Sequence, residues 1–425
     1  MLNRSITPRI KDAVEFDLRL RPYEKIILDN NTPVYSINAG VEEVLMIEFV
    51  FYAGNAFENQ NAIAAAANYL LKNGTSDKSA FQINEHFEYY GAYLTRACYN
   101  ETATLTLHCL SKHFDKLIPV IREILTDSVF PEVELDIFKQ NSKQRLAVSL
   151  KKCDFVANRL IDKYLYGQDH PYGHFGVAED YEALEAEKLR AFYGRYYKQG
   201  KCIMFAAGKF PPNFNEQLNK YFGDLDFQQN LVEPLFEPKP ANERKYRVEN
   251  DPVGVQGAVR IARPFPNRHH PDFQKVMILN NVFGGFFGSR LMSNIREDKG
   301  YTYGITSYIQ NHIHQTAWVI STEAGKDVCE ATITEIYKEM EELRDEPIDD
   351  EELLLVKNYM MGTNLGDLDG PFQIIARWKN LILNNLDDQY FYKSMHTIKT
   401  VSAEELQALA QKYLMEDSFY ELVVI

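Results

Sequence analysis

The hydrophobic and polar positions fall into two long blocks that use the same order of elements. In the first, "VLMIEFVFYA" from Val44 to Ala53 is a run of strand formers. "NAIAAAANYLLKNGT" follows with helical spacing and a stop at Gly74, and a second helix, "SAFQINEHFEYYG", ends at Gly91. In "AYLTRACYNETATLTLHCL", Thr102, Thr104 and Thr106 alternate with Ala103, Leu105 and Leu107, which predicts a hairpin or a long bent strand. Helical spacing returns in "FDKLIPVIREIL" and, after Pro131, in "EVELDIFKQNSKQRLAVSL". The second block begins at Gly257 with the strand "GAVRIARPF" and the helices "DFQKVMILNNVFGG" and "SRLMSNIREDKG", the latter closed by Gly300. A strand region, "YTYGITSYIQNHIHQTAWVISTEAG", precedes two helices separated by Pro347.

A repeat of roughly two hundred residues is too long for a solenoid and implies a duplicated domain. The stretch Gln228 to Tyr246 carries three prolines and little periodicity, as a linker does. The expected organisation is therefore 1–227, a linker over 228–246, and 247–425. The fold class is α+β: two homologous domains, each a mostly antiparallel sheet covered by helices on one face, facing each other across a chamber.

Composition narrows the partners. With 60 acidic and 46 basic side chains in 425 residues the net charge is −14, which argues against nucleic acid or an anionic membrane. Five cysteines, Cys98, Cys109, Cys153, Cys202 and Cys329, never form a C-x-x-C pair and read as thiols in a reducing compartment. The first residues lack the apolar core of a signal peptide, and no run is apolar enough to span a membrane. A soluble, cytoplasmic protein is the expectation.

Histidine spacing offers little for a metal. His170 and His174 are four apart, but Pro171 and Gly173 oppose a helix there, so a structural loop is expected. His312 and His314 share a strand face without a third donor nearby, as an exposed pair would. "FGGFFGSRL" fits neither phosphate-loop template, and no G-x-S-x-G elbow occurs. Arg296 and Tyr303 remain. Leu291, Met292 and Ile295 form an apolar stripe that fixes a helix with Arg296 beside it, and Tyr303 follows on the next strand. A guanidinium and a phenol so placed can both donate to one carbonyl oxygen. The plainer reading pairs Arg296 with a carboxylate and lets the tyrosines cover the sheet.

"SRLMSNIREDKGYTYGI" resembles the second-half signature of the pitrilysin-type zinc metallopeptidases, the inverzincins, in their short two-domain bacterial branch. "NGTSDKSAFQINEHFEYYGA", "DSVFPEVELDIF", "HPYGHFG" and "LRAFYGRYYKQGKCIMFAAGKF" extend the resemblance over nearly the whole chain. That family carries two zinc ligands and a general base in H-x-x-E-H on the first-half helix, and a third ligand downstream. The matching positions are Ala65, Asn68 and Tyr69, with Phe138 at the third ligand. Alanine and phenylalanine cannot ligate zinc, and asparagine cannot act as a base near neutral pH. Thr95 stands where active members tend to carry asparagine.

The resemblance thus implies a subunit lacking the zinc motif, with no cofactor of its own. A zinc-bearing partner of the same family would supply the metal, while Arg296 and Tyr303 bind the substrate peptide. Such a chain is inactive alone. The alternatives are a structural or assembly protein, as the core subunits of respiratory complexes are, and a peptide-binding homodimer that captures extended segments at a sheet edge near Thr95.

Overall fold

The computed structural model describes residues 11–230 and 233–425 and divides into two compact units. The N-terminal unit comprises Arg21–Asn242 together with Gly370–Asn380. The C-terminal unit comprises Glu243–Asp369, Leu381–Ile425 and the described part of Met1–Leu20. Each unit therefore recruits a short segment from the opposite end of the sequence.

In the N-terminal unit the strands are β1 (Glu24–Ile27), β2 (Pro33–Asn38), β3 (Val44–Phe51), β4 (Tyr93–Cys98), β5 (Ala103–Leu110) and β6 (Cys202–Gly208). They form one sheet in the order β1-β2-β6-β3-β5-β4, antiparallel except for the β2–β6 pair. The hairpin expected around the alternating threonines is β4–β5, and β4 is an edge strand. The helices that matter for the site are α1 (Ile63–Leu70), α2 (Ala80–Tyr89), α3 (Phe114–Asp127), α4 (Glu132–Ser149) and α5 (Cys153–Tyr166). A Ser79–Gln82 capping box starts α2. Helix α1 packs on β4 and β5 and against α4. Ala64, Ala66 and Ala67 are fully buried, because residues of this size let a helix approach its sheet closely.

In the C-terminal unit β7 (Lys245–Val248), β8 (Gln256–Phe265), β9 (Thr302–Asn311), β10 (Thr316–Gly325) and β11 (Tyr420–Val424) form a sheet in the order β7-β11-β8-β10-β9. It too is antiparallel except for one pair, β7–β11. Matching β2 to β7, β3 to β8, β4 to β9, β5 to β10 and β6 to β11 superposes both strand order and strand sense. The duplication read from the sequence is thus a duplication of topology, with β1, among the described residues, the one strand added to the first copy.

Candidate functional site

Helix α1 begins under local strain. Ala62 precedes it in the left-handed region at φ 68°, a conformation an L side chain rarely adopts. The Glu58 carboxylate accepts the Ala64 N–H at 3.0 Å and so occupies one of the free donors of the helix start. Burial still dominates its charge: the carboxyl is pushed up to about 7, against the opposing pull of the Ala64 and Ala62 N–H groups.

One turn further on, α1 presents Ala65, Asn68 and Tyr69, the positions that the sequence resemblance aligns with a zinc motif. Ala65 offers a methyl group. Asn68 is 3% exposed, and its amide donates to the Thr104 carbonyl at 3.1 Å and the Tyr197 hydroxyl at 3.2 Å. The Tyr69 ring lies 5.1 Å from the ring of Phe138 on α4, and the Arg96 guanidinium of β4 lies 4.7 Å over it. Ala65, Asn68, Tyr69 and Phe138 all line one cavity of about 810 Å³ between the β4 edge and helices α4 and α5. The fold therefore gathers the four positions that the sequence singled out.

Their chemistry does not fit zinc. Two are hydrocarbon, the Asn68 amide spends its donors on oxygen atoms, and the Tyr69 ring is sandwiched between a ring and a cation. Among the described residues no three His, Cys, Asp or Glu side chains converge as a metal site.

Arg296 sits in the C-terminal unit on a π-helical turn, Met292–Asp298, held by the buried side chains of Leu291, Met292 and Ile295. Wide turns of this kind are uncommon and recur at functional sites. Its guanidinium lies 4.6 Å from the Phe287 ring centroid and 3.7 Å from the Glu297 carboxylate, a contact half open to water. Gly300, at φ 65°, closes the turn as expected.

Tyr303 is 92% exposed, and a β-bulge is the reason. Ile305, Ser307 and Ile309 are buried on one face of β9, and strict alternation would put Tyr303 with them. The register shifts instead: Thr322 faces Ile305 but Ala324 faces Thr302, so one extra residue enters the strand. The Thr302 hydroxyl fixes the bulge by donating to the Glu323 carbonyl at 2.6 Å and accepting the Gly304 N–H at 3.1 Å, while the Thr322 hydroxyl donates to the Gly304 carbonyl at 2.9 Å. No bond joins Tyr303 to Arg296; the fold places them on consecutive elements and leaves the phenol without a partner among the described residues.

The histidines behave as structure. His170 is buried, stacked on Tyr166 at 5.6 Å, and accepts the Tyr172 N–H at 3.1 Å. His312 and His314 fall in the turn between β9 and β10, half-buried, and not on a strand face. Sequence reasoning missed Glu58 and Arg96; neither sits in a motif, and only the fold brings them against α1.

Comparison with known proteins bears on the fold. Residues 183–360 match the family model described as the peptidase M16 inactive domain. That segment, less than half of the chain, is similar to a peptidase M16 inactive domain. An uncharacterized zinc protease, YmxG, of Bacillus subtilis is 24% identical over 94% of this chain and 95% of its own length. A Helicobacter pylori protein described as a non-peptidase homolog is 23% identical over 75% of this chain and 74% of its own. The crystal structure of a peptidase M16 inactive domain from Pseudomonas fluorescens shares the fold with a TM-score of 0.85, covering 95% of this chain and 98% of that one at 22% identity. Partial M16-like matches, each 21% identical, reach cytochrome b-c1 complex subunit 1 of Caenorhabditis elegans (58% of this chain, 55% of that one) and the mitochondrial-processing peptidase subunit beta of Rattus norvegicus (61% and 53%). The M16 inactive-domain match leaves α1 outside its bounds, so the donor positions are judged on their own chemistry, which offers zinc no ligand at Ala65 or Phe138.

Proposed function

We propose that the chain is the non-catalytic subunit of a bacterial, cytoplasmic two-chain zinc peptidase, presenting Arg296 and Tyr303 to a carbonyl oxygen of the substrate peptide beside a zinc carried by a partner of the same family. The observation that supports it most is an asymmetry. The four positions that the resemblance aligns with the ligands and base carry side chains that cannot serve, while Tyr303 is turned outward by a hydrogen-bonded bulge and Arg296, among the described residues, meets a ring and an exposed carboxylate. Both groups are hydrogen-bond donors of the kind that stabilises a substrate carbonyl, and neither is tied up in a buried ion pair.

The test is purification of the chain alone and with a partner that bears H-x-x-E-H. Alone, it should hold no stoichiometric zinc and cleave no peptide. In the complex, Arg296→Ala and Tyr303→Phe should each lower turnover by about 2–4 kcal/mol of transition-state stabilisation. Zinc and robust cleavage in the isolated chain, or full turnover in both variants, would sink the reading.

Two observations favour other roles. Similarity to a cytochrome b-c1 complex subunit favours a structural or assembly function, in which both variants would destabilise a complex and leave no peptidase to measure. The open edge of β4 favours peptide capture by strand addition, by the chain alone or as a homodimer.

A further inference from the structure

The cavity over the former metal positions has a charge that the rest of the chain does not share. Lys72, Arg96, Arg145 and Arg159 line it, and no carboxylate does, in a protein of net charge −14. The partners of these cations are neutral. Arg96 donates to the Tyr69 carbonyl and to Asn73 Oδ1 at 3.0 Å; Lys72 Nζ donates to Asn84 Oδ1 at 2.8 Å; Arg159 donates to the Gly176 carbonyl at 2.9 Å and lies 5.1 Å over the Phe175 ring. Among the described residues none of the four forms an ion pair. The nearby Glu134 is engaged with the Asn73 amide at 2.7 Å, and Glu88 reaches Lys72 only through space.

Uncompensated cations in a partly dry cleft are costly. Burial pulls Arg96 down to about 10, and burial together with the Arg96 charge pulls Lys72 down to about 8. An arriving anion would relieve both effects. The shape of the cleft says what kind of anion fits: one wall is the unpaired edge of β4, from Tyr93 to Cys98, and the opposite wall is α4 with Phe138 and Arg145. A strand added to that edge would aim alternate side chains toward the helix wall.

We propose that this cleft binds an extended peptide segment with acidic side chains at alternate positions, Arg145 and Arg159 meeting the carboxylates while the β4 edge pairs with the peptide backbone. It rests on the reading of the chain as a peptide-binding M16 protein, and not on a partner's zinc. Charge-assisted bonds would then stand where metal ligation stands in active relatives.

The test is fluorescence anisotropy with the full-length chain and three short labelled peptides that share their apolar positions and carry Glu, Gln or Lys at the alternate ones. At low salt the Glu peptide should bind at least about tenfold more tightly than the Gln peptide, and added salt should erase the difference. Arg145 is exposed on α4, so Arg145→Glu should fold and should remove the preference for the Glu peptide over the Lys peptide. Equal binding of the Glu and Gln peptides overturns the acidic preference and leaves peptide capture standing. Failure of all three to bind overturns both. An unchanged order in the charge-reversed variant overturns the placement, and displacement of the Glu peptide by a single-stranded oligonucleotide of equal charge overturns a peptide as the occupant.

Discussion

Glu58 joins strain, capping and charge at a single residue. Its folded carboxyl titrates at about 7, against an ordinary value of 4.5, mainly because it is buried. The folded state therefore binds the proton more tightly than the unfolded state. The stability this contributes is complete below about pH 4.5 and is lost as pH rises through 7. Glu58→Gln keeps an oxygen for the Ala64 N–H and removes the titration. Relative to the parent it should gain up to about 3 kcal/mol on moving from pH 5 to pH 8, read by urea unfolding at the two pH values. An equal difference at both would show that Glu58 is charged throughout. None of this was legible in the sequence, where Glu58 sits in a polar loop. The loss at Ala65, Asn68 and Tyr69 was legible, because missing ligand atoms are a property of residue type and need no fold.

Among the elements, β9 shows where pattern reading stops. The sequence placed a strand region here, but a bulge is set by two threonine hydroxyls acting across β9 and β10, and no local signal in "YTYGI" announces it. The same limit hid the π-helical turn under Arg296, whose apolar stripe reads equally well as an ordinary helix. Thr302→Val should remove the hydroxyl that holds the bulge and leave the Gly304 N–H unpaired. The expected cost is about 1–2 kcal/mol in chemical denaturation. With the proposed partner present, turnover should also fall although neither Arg296 nor Tyr303 has been touched. Full turnover in a destabilised Thr302→Val protein would mean that the bulge does not aim Tyr303. The cleft cations were invisible for a related reason: Lys72, Arg96, Arg145 and Arg159 lie on three different elements and a loop, and only packing brings them together.

For the molecule as a whole, the duplicated topology could be read from the order of elements, but the exchange of segments could not. Gly370–Asn380 belongs to the N-terminal unit, where Lys379 Nζ lies 2.7 Å from the Glu48 carboxylate in the middle of β3 and Trp378 donates to the Arg21 carbonyl at 2.8 Å. Nothing near residue 375 in the sequence points to a strand more than three hundred residues earlier. Glu48 is 10% exposed at its side chain and Lys379 30%, so Lys379→Met should cost roughly 1–3 kcal/mol by stranding a carboxylate in the sheet. Adding Glu48→Gln should recover part of that loss in thermal denaturation, and strict additivity of the two changes would deny the coupling. At the other end, Val14 N–H donates to Asn358 and Lys399 to the Phe16 carbonyl within the C-terminal unit. The two copies are thus stitched by a reciprocal loan of chain. Residues 1–227 produced alone would lack the segment that neutralises Glu48, and residues 247–425 alone would lack the one that engages Asn358 and Lys399. Each fragment should be poorly soluble by itself and recover in co-expression, so neither copy is a self-sufficient folding unit.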